Sequence, residues 1–181
     1  KFDEMRQVRP FSAIASAFDA YCSDLLERTL GPPISLPGDE ADNMHCSRGR
    51  PMPDQGALDA IQAAVEKALG ADVPVLSDLL PHLSIILGPS SSGPIAEEEK
   101  ESMGFYSKDG HNRLMELFRR FVRAISGCGG VVLFLDDLQW ADHSCLELVR
   151  WLVTDRANQN FLFIGAYREN EVESGHPLMT Q

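Results

Sequence analysis

Two adjacent carboxylates and one arginine are the residues of this sequence best placed for chemistry. Asp136 and Asp137 directly follow the apolar run Val131–Leu135, and Arg168 directly follows a second run, Phe161–Tyr167. A carboxylate at the end of a strand can hold a hard cation such as magnesium, and a neighbouring carboxylate can orient or deprotonate a water molecule. Arginine is planar and permanently charged, which suits it to contact a phosphate. The three residue types therefore point to chemistry on a phosphate group.

Each of these residues also has a plain structural interpretation. The two aspartates could occupy an ordinary strand-to-loop turn, with one of them capping a nearby backbone group. Arg168 could be a surface arginine paired with Glu169 or Glu171. Spacing alone leaves both interpretations open.

The elements around these residues predict one β-α-β unit. The uninterrupted apolar run Val131–Leu135 is typical of a strand buried on both faces of a parallel sheet. Ser144 and Glu147 form an S-x-x-E pattern, which predicts a capping box at the start of a helix. Phe161–Tyr167 predicts a second strand, and the long helical crossover requires the two strands to be parallel. The residues that end the two strands should then share one crevice, where parallel sheets bind ligands.

The rest of the chain predicts helices and two loops. Apolar residues at a spacing of three to four predict helices over 10–30, from about 54 to 70, in two short pieces on either side of Pro81, and over 107–126. Residues 37–53 and 88–101 are rich in turn-forming and polar residues, and we expect both to be exposed loops. We find no internal repeat and expect one domain.

Composition excludes several classes of protein. The 27 acidic and 16 basic side chains give a net charge of −11, so a nucleic-acid contact through this segment is not expected. An apolar fraction of 44% is enough to build a core. The longest charge-free apolar stretch is about half of a membrane span. The four cysteines form no C-x-x-C pair, which favours free thiols in a reducing, cytoplasmic compartment.

The strongest family resemblance lies in the segment FLDDLQWAD, residues 134–142, followed by FLFIGAYRENEV at 161–172 and by HPL. Together these closely resemble the predicted ATPase module of large multidomain signalling proteins. Such modules belong to the signal-transduction (STAND-type) ATPases among the AAA-type P-loop NTPases and are related to origin-recognition-complex-like ATPases. The start of the chain and LLPHLSIILGP, residues 79–89, are also similar to the family, so the resemblance covers nearly the whole chain.

The resemblance implies roles for individual residues and a fold. Asp136 matches the magnesium-coordinating acid of the Walker B strand, Asp137 the acid that activates the attacking water, and Arg168 the sensor that ends the next core strand. Gln139, Trp140 and Asp142 match a family signature for which we expect a structural role. The implied fold is a helix-rich α/β domain with adjacent parallel strands at about 131–136 and 161–167. ATP and Mg²⁺ would be its ligands.

The sequence departs from the family in its phosphate-binding loop. The pattern G-x-x-x-x-G-K-[ST] does not occur in the 181 residues. That loop supplies the backbone amides and the lysine that hold the β- and γ-phosphates. Two explanations fit, a loop upstream of residue 1 or a degenerate gene product, so residues 1–181 are expected to form an incomplete AAA-type ATPase domain.

The expected function is therefore part of an ATP-driven switch in a signalling or regulatory protein. Expected partners are a nucleotide and other domains of the same polypeptide, with self-association through an exposed edge of the 161–167 strand. A non-catalytic interaction scaffold that keeps the fold is the alternative. A regulator that binds DNA through a separate domain is a third interpretation, and the output domain could be a kinase, a cyclase or a transcription factor.

Overall fold

A computed structural model describes residues 11–30, 55–88, 108–172 and 175–180 of the chain. Its principal elements, in order, are α1 (Ser12–Leu30), α2 (Gln55–Leu69), α3 (Val73–Leu79), α4 (Pro81–Leu87), α5 (Lys108–Cys128), β1 (Val131–Leu135), α6 (His143–Thr154), β2 (Phe161–Gly165) and α7 (Pro177–Thr180). Short 3-10 turns occupy Gly70–Asp72, Leu138–Trp140 and Glu169–Glu171. The loops expected at 37–53 and 88–101 lie outside the described residues, apart from Gly88.

The helices form where the apolar spacing predicts them. In α5, side chains three or four residues apart are fully buried, among them Phe118 and Phe121. Phe18 of α1 lies against both rings, at centroid distances of 6.0 and 5.5 Å. The predicted ends need correction, because α1 begins at Ser12 and α5 continues to Cys128 instead of ending before a turn at 127–130. Apolar periodicity defines a buried face and leaves the terminal turns undetermined.

Pro81 is the first residue of α4 and not merely a separator between two helical pieces. A proline at this position costs no hydrogen bond, because the first N–H groups of a helix have no intrahelical partner. Leu80, immediately before it, has φ −122° and ψ 81°, outside the helical region that a following proline disfavours. The proline therefore ends α3 and starts α4 at the same point.

The two strands form a parallel pair, as predicted. Val131 lies opposite Phe161 and Leu135 opposite Gly165, without a bulge. Both strands are shorter at their carboxyl ends than the 131–136 and 161–167 expected, because Asp136 and the residues after Gly165 already belong to connecting segments. α6 connects the strands, and β1-α6-β2 is the predicted β-α-β unit.

The prediction that β1 is buried on both faces is wrong for the described part of the chain. Val131, Leu133 and Leu135 join the hydrophobic core, whereas the alternate residues of the strand are exposed. Parallel pairing in register places the exposed residues of both strands on the same face of the sheet. This uncovered apolar face consists of side chains between 44% and 62% exposed, namely Val132, Phe134, Leu162 and Ile164.

Ion pairs hold the end of α6 against α5. The carboxylate of Asp155 lies 2.7 Å from Nε of Arg123 and 3.4 Å from Nε of Arg119. The guanidinium of Arg119 also lies over the ring of Trp151, 5.4 Å from its centroid. The hydrogen bond from Arg123 lowers the pKa of Asp155 despite partial burial. These contacts fix the orientation of the crossover helix between the strands.

None of the helices in the described ranges combines the length and the apolar character that spanning a membrane requires.

Candidate functional site

The two aspartates lie in a sharp turn at the carboxyl end of β1. Asp136 directly follows the strand, and its Oδ1 accepts a hydrogen bond from the backbone N–H of Asp137 (2.9 Å). Asp137 has a left-handed backbone conformation, with φ 58° and ψ 45°, which few residue types other than glycine, asparagine and aspartate adopt readily. The 3-10 turn Leu138–Trp140 follows at once, and its Trp140 N–H donates to the carbonyl of Asp137 (3.0 Å).

Backbone hydrogen bonds join this turn to the segment after β2. The N–H of Ala166 donates to the carbonyl of Leu135, and the N–H of Leu138 donates to the carbonyl of Ala166, both at 2.9 Å. The ladder between the strands therefore continues into both connecting segments. It places Arg168 beside the acidic turn, with its Nε 3.5 Å from Oδ1 of Asp137.

Arg168 has two anionic neighbours. Its Nη1 donates to Oε1 of Glu171 at 3.0 Å, within the 3-10 turn that follows β2, and its Nε contacts Asp137. Pairing with a nearby glutamate was the structural alternative for this arginine, and the described conformation contains that pair together with the contact across the strands. The hydrogen bond that Arg168 donates to Glu171 is the main cause of the raised pKa of Arg168. The side chain is still 59% exposed, so its guanidinium is accessible from solvent.

A buried glutamine occupies the centre of the site. Nε2 of Gln139 donates to Oδ1 of Asp137 (3.3 Å) and to Oε2 of Glu171 (3.2 Å). Its Oε1 accepts from the backbone N–H of Arg168 (3.2 Å). Carboxylates only accept and a backbone N–H only donates, so these three partners determine which end of the amide is nitrogen. The expected structural role of Gln139 is thus to connect both strand ends.

His176 supports the same turn from the last described segment. One ring nitrogen, Nε2, lies 3.0 Å from the carbonyl of Gln139, while Nδ1 accepts from the N–H of Leu178 (3.1 Å). The two partners are compatible with the tautomer that carries its proton on Nε2. HPL, residues 176–178, belongs to the family resemblance, but the sequence assigns this histidine no contact with Gln139.

The helix after the turn begins with a different cap from the one predicted. Asp142 is the N-cap of α6, and its Oδ1 accepts from the N–H of Cys145 (2.7 Å). The capping box of Ser144 and Glu147 is therefore wrong, since Ser144 lies inside the helix and Glu147 reaches toward His111 (3.4 Å). Aspartate is at least as good an N-cap as serine, and position 142 comes first along the chain.

The charge of the crevice suits an anion only when a cation accompanies it. Arg168 contacts the carboxylates of Asp137 and Glu171, and Asp136 lies in the same turn as Asp137, so carboxylates outnumber the arginine among these four residues. Within the described ranges, no three His, Cys, Asp or Glu side chains converge as a metal cage. Mg²⁺ is commonly held by one or two carboxylates together with substrate phosphates and water. The partly exposed carboxylate of Asp136 fits that kind of ligation.

Comparison with known proteins identifies the class. Residues 1–164 match the family model described as AAA ATPase domain. The match covers about nine tenths of the chain, so the chain belongs to the AAA ATPase domain family. No curated protein and no solved structure matched the chain. The helix-rich architecture with two parallel strands is compatible with the α/β fold of P-loop ATPases, and the family indicates a nucleotide-binding module.

The structure brings together the three residues that the sequence singled out, and it adds two that the sequence did not. Asp136, Asp137 and Arg168 all lie at the carboxyl ends of the strands. The sequence indicates Glu171 only as a surface partner of Arg168, and Gln139 only as a member of the family signature. The R-E-N-E spacing, with charges three residues apart in a turn, was a usable signal for Glu171.

Proposed function

We propose that this chain is part of an ATP-binding and ATP-hydrolysing switch in a multidomain signalling or regulatory protein. The observation that carries the proposal is the contact between the two strand ends, where Asp136 and Asp137 lie next to Arg168. Membership of the AAA ATPase domain family supports nucleotide binding. The signalling context rests on the resemblance of the FLDDLQWAD segment to signal-transduction ATPases.

The three side chains have separate proposed roles. Asp136 would hold Mg²⁺ together with the phosphates of ATP, and the metal would neutralise phosphate charge when bound. Asp137 would accept a proton from the attacking water as a general base. Arg168 would leave Glu171 and contact the terminal phosphate, for which its exposed guanidinium is suited. These roles assign metal binding, catalysis and nucleotide sensing to residues within one turn of each strand end.

The phosphate-binding loop of the family has no counterpart in these 181 residues. We therefore expect the 181-residue chain alone to bind magnesium–ATP weakly, because the β- and γ-phosphates would lack backbone amide and lysine donors. A dissociation constant in the low micromolar range would show that these 181 residues suffice for binding. The decisive experiments accordingly use the full-length protein.

The proposal is tested by magnesium-dependent ATP binding and turnover of the full-length protein. Asp136→Asn should weaken nucleotide affinity in magnesium along with turnover, because a unit negative charge leaves the metal site. Asp137→Asn should leave binding nearly intact and reduce turnover by about 100-fold or more. Asp59→Asn, the same chemical change on the exposed side of α2, is the matched control and should alter neither.

A non-catalytic scaffold is the alternative function. It would keep the fold and the contacts between the strand ends, but use the surface for protein–protein association. Full-length protein that neither binds nor hydrolyses ATP in magnesium would favour this alternative. An Asp137→Asn variant with the parent rate would show instead that the second aspartate is structural.

The uncovered apolar face of the sheet suggests where other parts of the assembly pack. We propose that a second copy of the protein covers it, because exposed apolar surfaces of this kind favour association. Leu162→Asp should then reduce association measured by sedimentation velocity without unfolding the protein. We also propose a cytoplasmic location and no direct nucleic-acid contact through this acidic segment.

A further inference from the structure

We propose that Gln139 is a positioning residue that couples Asp137 to Arg168. The inference rests on the proposed function, since it concerns how that site is held ready for turnover. It goes beyond the assigned roles because Gln139 touches neither nucleotide nor metal in the proposal. It acts through the two residues that do.

The contacts of Gln139 divide between the two strand ends. On the side of β1, its Nε2 donates to the Asp137 carboxylate; on the side of β2, its Oε1 accepts from the Arg168 backbone N–H. The side chain is buried, with the residue only 5% exposed, so water cannot replace these partners freely. The planar amide of Gln139 therefore determines the distance between the carboxylate of Asp137, the proposed general base, and the backbone of Arg168, the proposed sensor.

Gln139 holds the backbone of Arg168 and does not contact its guanidinium. Gln139 anchors the main chain of Arg168, whereas the exposed guanidinium contacts Glu171 and Asp137. A guanidinium that turns from Glu171 toward a phosphate would do so about a fixed backbone position. Gln139 would then hold the general base and the pivot of the sensor in place throughout that motion.

Only an amide of this length satisfies all the partners. Glutamate keeps the acceptor for the Arg168 N–H but loses the donor to Asp137 and adds a charge beside two carboxylates. Asparagine keeps both functions on a side chain one methylene shorter. Leucine keeps the approximate volume and loses every hydrogen bond. These substitutions separate hydrogen bonding from packing.

The test measures kcat and KM for ATP in the full-length protein with Gln139→Leu, Gln139→Asn and Gln139→Glu. Positioning predicts that Gln139→Leu lowers kcat by about 10-fold to 100-fold, the scale of misplaced catalytic groups, while KM changes by less than about threefold. Gln139→Asn should recover little, because its shorter chain cannot span both strand ends. Gln159→Glu, in the exposed turn before β2, is the matched control and should change neither parameter.

The pH profile of Gln139→Glu separates positioning from a merely structural role. The groups that face this side chain are Asp137, Glu171, Arg168 and, through the Gln139 carbonyl, His176. Protonation of the introduced carboxyl restores a donor toward Asp137 and removes the added charge. The kcat ratio of the variant to the parent should therefore rise as pH falls.

Three results would overturn the inference. Parent-like kcat in folded Gln139→Leu and Gln139→Glu, in a protein that Asp137→Asn inactivates, would refute positioning and leave the proposed function standing. A kcat ratio for Gln139→Glu that falls as pH falls would contradict the restored donor toward Asp137 and refute positioning. Absence of magnesium-dependent turnover in the parent would refute both proposals. If Gln139→Leu does not fold, Gln139→Glu, which is nearly isosteric, supplies the same decision.

Discussion

Replacing Asp142 by alanine should destabilise the protein, because this side chain is the N-cap of α6. Its Oδ1 accepts the Cys145 N–H at 2.7 Å, one of the first N–H groups of the helix, which lack intrahelical partners. Loss of an aspartate cap costs about 1 kcal/mol of stability, within a range of about 0.5–2 kcal/mol. For a domain of this size, about 1 kcal/mol corresponds to a decrease of about 2–4 °C in Tm.

Ser144→Ala is the matched control, because the sequence pattern assigned the cap to that serine. Ser144 lies inside α6, where alanine is a slightly better helix former, so its Tm should change by about 1 °C or less. Asp142→Asn retains the cap acceptor and should lose only the smaller contribution of charge to the helix dipole. The assay is thermal unfolding followed by circular dichroism at pH 7. A larger loss for Ser144→Ala than for Asp142→Ala would refute the cap described here and restore the capping box.

Three further predictions concern packing, charge and pH. Gly165→Ala should destabilise by about 1–3 kcal/mol in urea unfolding, because a Cβ there would lie 2.5 Å from Cδ1 of buried Leu138; unchanged stability would mean that Leu138 moves freely. Glu171→Gln should raise magnesium–ATP affinity of the full-length protein about twofold to fivefold, since Arg168 loses a competing anion; lower affinity would contradict this. Asp155 has a lowered pKa in the folded state, so its stabilisation is complete above the unfolded pKa of about 3.9 and is lost as pH falls toward the folded value. The stability difference between the parent and Asp155→Asn should therefore shrink between pH 5 and pH 3, and a constant difference would exclude this origin.

The parts of the fold that follow from local periodicity were predictable. Apolar residues recur every three to four positions in α5. They define one face of the helix, and that face is the one buried in the core. The parallel pairing of β1 and β2 was equally predictable, because a crossover that contains a helix excludes a tight hairpin. The positions of Asp136 and Arg168 at adjacent strand ends follow from that pairing.

Burial of the sheet could not be predicted in the same way. An apolar run indicates that both faces of a strand avoid water in its final environment, but it does not identify what covers them. In β1, helices cover the face of Leu133, and Phe134 on the opposite face is exposed within the described part of the chain. The apolar run therefore predicts the strand, but it does not predict which part of the assembly packs on each of its faces.

The contacts of Gln139 could not be predicted from sequence patterns. Its partners are two, 29 and 32 residues away along the chain, and only the nearest is visible as sequence spacing. The others reach it because Asp137 adopts a left-handed conformation that changes the direction of the chain immediately after β1. Nothing in the pattern of apolar residues encodes that dihedral angle, although aspartate tolerates it better than most residues. The positions of the strand ends therefore predict that Asp137 and Arg168 lie close together. The conformation of the turn after β1 determines that Gln139 connects them.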